Sequence, residues 1–138
     1  MSNLEGKLVV FLDEVGINDI PYVGGKNASL GEMIRHLREK GVSVPYGFVV
    51  TAEAYRYFIK YNNLQEKIRE VLKDLDPSNI EQLAQKGHTV RELIRGGTFP
   101  EDLQKQITDA YEKLSQMYNT HAVDVAVRSS ATAEDLPD

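Results

Sequence analysis

From Thr51 to Tyr118 the apolar residues recur at helical intervals, interrupted only at Asn62-Asn63, Asp76-Pro77 and Gly96-Gly97. Tyr55, Phe58 and Ile59 share one side of the first run, and Leu64, Ile68, Val71, Leu72 and Leu75 recur in the second. The third carries Ile80, Leu83, Ala84, Val90, Leu93 and Ile94, and the fourth Leu103, Ile107, Ala110, Tyr111 and Leu114. Side chains three and four residues apart lie on one face of a helix, so this block predicts four helices with short joins. Thr51 reads as an N-cap with Glu53 in the first turn. Ser78 and Glu81 have capping-box spacing. Pro100 suits a first helical turn, where Glu101 and Asp102 complement the positive end of the dipole. Nothing in the block looks catalytic, and Tyr55, Tyr57, Phe58, Tyr61, Tyr111 and Tyr118 read as packing or interface residues.

Strands are confined to what lies outside that block. Leu8 to Leu12 is a short apolar run, expected as a strand buried on both faces, and Phe48-Val49-Val50 is a second. Asp13 to Tyr22 reads as a polar connection, followed by a helix from about Asn27 to Lys40 with Gly41 in the left-handed position beyond its end. Val123 to Val127 alternates and is expected as a last strand, its valines on one face and Asp124, Ala126 and Arg128 on the other. The fold class expected is α+β, mostly helical with a few short strands, and 138 residues fit one domain with a real core.

Composition removes several function classes. A net charge of −5 argues against a broad nucleic-acid or acidic-membrane surface, though not against a local basic pocket. With no cysteine there is no disulfide framework, thiol nucleophile or cysteine metal site. No apolar run reaches the roughly 18 residues of a membrane span. No signal-peptide pattern is visible, so the cytoplasm is expected. His36, His88 and His121 lack spacing with carboxylates for a zinc site and read as ordinary surface histidines. No serine-hydrolase elbow occurs.

Chemistry concentrates in Gly24-Gly25-Lys26-Asn27-Ala28-Ser29-Leu30-Gly31-Glu32. Paired glycines, a lysine and a helix start together favour a phosphate group, because the dipole and the ammonium both attract negative charge. It is not a Walker A loop: the glycine spacing differs, and Asn27 stands where Ser or Thr would hold magnesium. On these residues alone, a glycine turn before an ordinary helix is the plainer reading. Arg128-Ser129-Ser130-Ala131-Thr132-Ala133-Glu134-Asp135 offers a guanidinium fork and three hydroxyls. A surface ion pair with Asp124 is the plainer reading of Arg128 alone.

Taken together, the Gly24–Glu32 stretch, Val44-Pro45-Tyr46-Gly47-Phe48 and Val127 to Asp138 closely resemble the phosphoenolpyruvate synthases (pyruvate, water dikinases). The resemblance implies that residues 1–138 are the first part of an ATP-grasp-like nucleotide-binding domain, with the phosphohistidine domain and the pyruvate-binding barrel absent. It implies a parent enzyme that converts pyruvate, ATP and water to phosphoenolpyruvate, AMP and phosphate with magnesium, while this piece alone would be inactive. Lys26 and Arg128 match the ATP-phosphate contacts of that family, with Ser129, Ser130 and Thr132 as further candidates. No catalytic residue and no metal ligand is expected in the chain: the acidic cluster Glu134, Asp135 and Asp138 does not match the family's metal carboxylates, which lie later. ATP and pyruvate are the implied substrates, with a homodimer a candidate assembly of the full-length enzyme. Pyruvate, phosphate dikinase and the rifampicin phosphotransferases share this type of domain and are the nearest alternatives. A stand-alone helical interaction module is the alternative from another class.

Overall fold

A computed structural model describes residues 3–133, which form two compact units, one of residues up to 55 and from 101 onward, the other of residues 56–100. In the first unit, β1 (Val9–Phe11) pairs antiparallel with β2 (Phe48–Val50), placing Val10 opposite Val49. Both of those valines are buried, and they join Leu4, Leu12, Val15, Val23, Ala28 and Ile34 in one core. Only one face of β1 is sealed: Val9 and Phe11 on the other are half-buried, against the expectation of burial on both. A two-stranded sheet presents little surface for a second layer to seal, and on that face the Phe11 ring meets those of Tyr46 and Phe48 and the ammonium of Lys113.

The polar connection after β1 folds into two tight 3-10 turns, Leu12–Glu14 and Ile17–Asp19. Side-chain carboxylates close both: Glu14 accepts from the Phe11 N–H at 2.7 Å and Asp19 from the Gly16 N–H at 2.8 Å. Helix α1 then runs Ile20–Arg38, with Pro21 in its first turn and a break at Gly24. A helical turn precedes the break, and the helix that restarts after Gly24 begins within about two residues of the expected Asn27. The Asn27 side-chain amide donates to the Val23 carbonyl at 2.8 Å, satisfying a group at the break. At the far end Gly41 has φ 77, as anticipated. The Val42 N–H reaches the Leu37 carbonyl and the Gly41 N–H the Arg38 carbonyl, both at 3.0 Å, which is the Schellman closure.

Helix α2 (Ala52–Tyr61) opens on Thr51, a buried cap that accepts from the Ala54 N–H at 3.2 Å and donates to the Lys7 carbonyl at 2.7 Å. Helix α5 (Glu101–Met117) packs on β1 and β2 and buries Leu103, Ala110 and Leu114. It closes on Asn119 in the left-handed conformation, with the Thr120 N–H returning to the Ser115 carbonyl at 3.0 Å.

The second unit holds the end of α2, helix α3 (Leu64–Leu72) and helix α4 (Ile80–Arg95), with α3 packed on α4. Asn62 bonds Thr98 twice, its amide to the Thr98 carbonyl at 3.0 Å and its carbonyl from the Thr98 N–H at 2.7 Å. Phe58 meets Phe99 with ring centroids 5.3 Å apart. The cap of α4 is Asn79, which accepts from the Gln82 N–H at 3.0 Å. The expected Ser78–Glu81 box does not form, because the Ser78 hydroxyl is drawn to the Asp76 carboxylate at 2.6 Å. The four helices between 51 and 118 are otherwise where the periodicity puts them.

The expected last strand is also corrected. Residues 123–131 form no strand, and Val125 and Val127 are 51% and 92% exposed. Alternation assigns side chains to faces, but a strand needs a neighbour for its ladder hydrogen bonds, and among the described residues no strand lies beside it.

Candidate functional site

The break in α1 is where the two chemistry-bearing stretches meet. Gly24 has φ 81 and ψ 163, a backbone conformation essentially confined to glycine. A methyl group there would lie 2.8 Å from the Ser130 carbonyl oxygen and 2.9 Å from that of Ala131. The missing side chain therefore lets residues 130–131 lie directly against the kink. Lys26 follows two residues later, exposed, in the first turn of the helix that restarts after the break. Arg128 precedes Ser130 by two residues and is exposed as well, as are Ser129 and Thr132, while Ser130 is half-buried.

The rest of the glycine-rich stretch builds the scaffold. Gly31 packs on the Val15 backbone so closely that a Cβ would overlap its carbonyl oxygen. Glu32 accepts from the Ile17 N–H at 2.9 Å and meets His36 Nε2 at 3.2 Å. That N–H, with lesser help from His36 and Arg35, holds the Glu32 carboxyl below its ordinary pKa. Arg35 donates to the Val15 carbonyl at 2.8 Å, and Ala28 is fully buried. So Gly24, Asn27, Ala28, Gly31 and Glu32 fix the loop and the break, and Lys26 and Ser29 are left at the surface.

The Val44–Phe48 stretch is structural too. The Tyr46 ring stacks on Phe11 at 5.6 Å, its hydroxyl donates to Asp13 at 2.6 Å, and the Arg38 guanidinium lies 5.4 Å from its centroid. Burial, then the bond to Asp13, pushes the Tyr46 pKa well above its ordinary value.

Two side-chain contacts to the stretch before Arg128 were not foreseen from the sequence, which read Tyr111 as a packing or interface residue and did not name Ser115. Tyr111 donates through its hydroxyl to the Val123 carbonyl at 2.7 Å, and the Ser115 hydroxyl accepts from the Val123 N–H at 3.2 Å. Ser115, only 2% exposed, is the signal that was there to find: a polar residue among the inward positions of α5, four residues from Tyr111.

Among the described residues, no group of three or more His, Cys, Asp or Glu is placed to hold a metal ion. Glu134, Asp135 and Asp138 lie outside the described residues. His36, His88 and His121 are all exposed, and His36 Nε2 meets the Glu32 carboxylate at 3.2 Å. The two stretches that meet at the break carry two cations and three hydroxyls between them, groups whose chemistry suits polyphosphate oxygens.

Residues 20–138 match the AMP/ATP-binding domain of pyruvate phosphate dikinase, a stretch that takes in the Gly24 break, Lys26 and Arg128. The chain belongs to this family. Among its relatives, a phosphoenolpyruvate synthase of Aquifex aeolicus is 66% identical over 131 residues, 95% of this chain and 15% of that protein. One from Synechocystis is 49% identical over 142 residues, covering 100% of this chain and 17% of the relative. One from Escherichia coli is 43% identical over 137 residues, covering 99% and 17%. The chain thus spans about a sixth of the length of these relatives. As a member of the AMP/ATP-binding family it is a small, mostly helical α+β structure, and among the described residues no helix is long and apolar enough to cross a membrane.

Proposed function

We propose that this chain is the N-terminal part of the nucleotide-binding domain of a phosphoenolpyruvate synthase, and that Lys26 and Arg128 hold ATP phosphates. The observation that carries the reading is the meeting of Gly24 with Ser130 and Ala131, which joins the two stretches bearing these cations in a member of an AMP/ATP-binding family. Arg128 supplies a planar fork for two phosphate oxygens and Lys26 a compact charge, while Ser129, Ser130 and Thr132 add hydroxyls around them. The work of such residues in phosphoryl transfer is positioning and charge compensation. Magnesium would neutralise phosphate charge when bound. Among the described residues no cluster of three or more His, Cys, Asp or Glu is placed to hold it, and by the resemblance its ligands are proposed to lie later in the parent enzyme. The whole enzyme would take pyruvate, ATP and water to phosphoenolpyruvate, AMP and phosphate through a histidine on another domain, in the cytoplasm, with a homodimer a candidate assembly.

The test is ATP affinity of the full-length natural protein that carries this chain. Lys26→Ala and Arg128→Ala are each expected to weaken binding at least about tenfold, the scale of one lost charge-assisted contact. Unchanged affinity in both variants would refute the assignment.

A further inference from the structure

The stretch from Val123 to Ala131 is held at its start and at its end. At its start, Tyr111 and Ser115 of α5 grip both backbone groups of Val123, at 2.7 and 3.2 Å. At its end, the carbonyls of Ser130 and Ala131 rest on Gly24. Between these points Asp124 to Ser129 are all exposed, and Val127 is 92% exposed. No strand pairing fixes the register of the stretch among the described residues, so the anchors at its two ends bear on where the chain carries Arg128.

From this we infer that Tyr111 and Ser115 are positioning residues for nucleotide binding: they hold Val123 so that the chain delivers Arg128 beside Lys26. The inference rests on the phosphate-binding role proposed for Arg128. Helix α5 is a firm base for such a grip, since it packs on β1 and β2 and buries Leu103, Ala110 and Leu114. A hydroxyl at position 111 is the economical way to hold a backbone carbonyl from a helix surface, and Ser115 does the same for the N–H from a buried position. Neither residue needs to touch the nucleotide.

A double-mutant cycle separates positioning from mere stability. ATP dissociation constants are measured by titration calorimetry on the full-length natural protein, for the parent, Tyr111→Phe, Arg128→Ala and the double variant, with thermal melts alongside. Tyr111→Phe removes only the hydroxyl and is expected to weaken ATP binding about fivefold, the scale of one hydrogen bond. In the Arg128→Ala background the same change is expected to matter less than about twofold, because there is no guanidinium left to misplace. Ser115→Ala is expected to follow the same pattern and serves as the second variant. Equal losses in both backgrounds, or no loss in the parent background, would overturn the inference. If Arg128→Ala itself leaves affinity unchanged, the phosphate-binding reading fails first, and that result is distinguishable from a failure of the clamp.

Discussion

The unit of residues 3–55 and 101–133 is held by backbone brought against backbone, whereas the unit of residues 56–100 is held by faces of helices. In the first, Gly24 and Gly31 touch carbonyls of residues remote in the chain, and Val10, Val15, Val23, Ala28 and Ile34 are sealed from solvent. In the second, α4 has no buried residue, and Ile80 is 81% exposed, Leu83 45% and Leu72 41%. The residues proposed to bind phosphate stand on the first kind of construction. A binding group must be held to a fraction of an ångström, and a close-packed backbone seam allows that where a pair of half-exposed helices does not.

The contrast is most open to attack at its glycines. Gly31→Ala places a methyl on the Val15 carbonyl, a backbone atom that cannot swing aside, so it should cost about 3 kcal/mol. Urea denaturation measures it, and a cost below about 1 kcal/mol would mean that close approach is not what holds this unit. Next in size is Tyr46→Phe, which removes the donor to Asp13 and should cost about 1 kcal/mol at neutral pH. Because the Tyr46 pKa is raised in the fold, the protonated form is favoured. Its contribution is complete below the ordinary tyrosine value of about 10 and is lost as pH rises beyond it. The difference between parent and Tyr46→Phe should therefore shrink in denaturation at pH 11, and a constant difference would remove the Asp13 bond from the account. The helical unit has the opposite sign: Ser78, by its hydroxyl and N–H, holds the Asp76 carboxyl below its ordinary pKa, so that contribution is lost on acidification. The smallest effect is a gain. Gly87 lies inside α4, and an added methyl would meet only the end of the Arg91 side chain at 3.3 Å. Gly87→Ala should stabilise by about 0.5–1 kcal/mol through helix propensity. A loss there would show that the helical unit is as tightly fitted as the other.

Much of the fold was legible because it rests on neighbours in sequence. The four helices, the Thr51 cap and the left-handed Gly41 all depend on bonds spanning a few residues. The one local error, Ser78 for Asn79 as the cap of α4, arose because both residue types cap well and a nearby carboxylate decided between them. Of the candidate site, Lys26 and Arg128 could be picked by residue type and motif, with Ser129, Ser130 and Thr132 beside them. Their setting could not be. A paired glycine reads equally as a turn, a cap or a seam until its neighbour is known, and in this chain the neighbour of Gly24 is more than a hundred residues away.

By itself the sequence determined the helical content, two of the three expected strands, the helix ends and the cationic residues worth testing, since each is set by short-range periodicity or side-chain chemistry. Only the tertiary structure decided that Val123 to Val127 joins no strand among the described residues, that Gly31 and Glu32 serve the loop at Val15 to Ile17, and that Tyr111 and Ser115 hold Val123. Those outcomes depend on which distant backbone groups become neighbours. A one-dimensional pattern states that a group needs a partner, not where in the chain the partner lies.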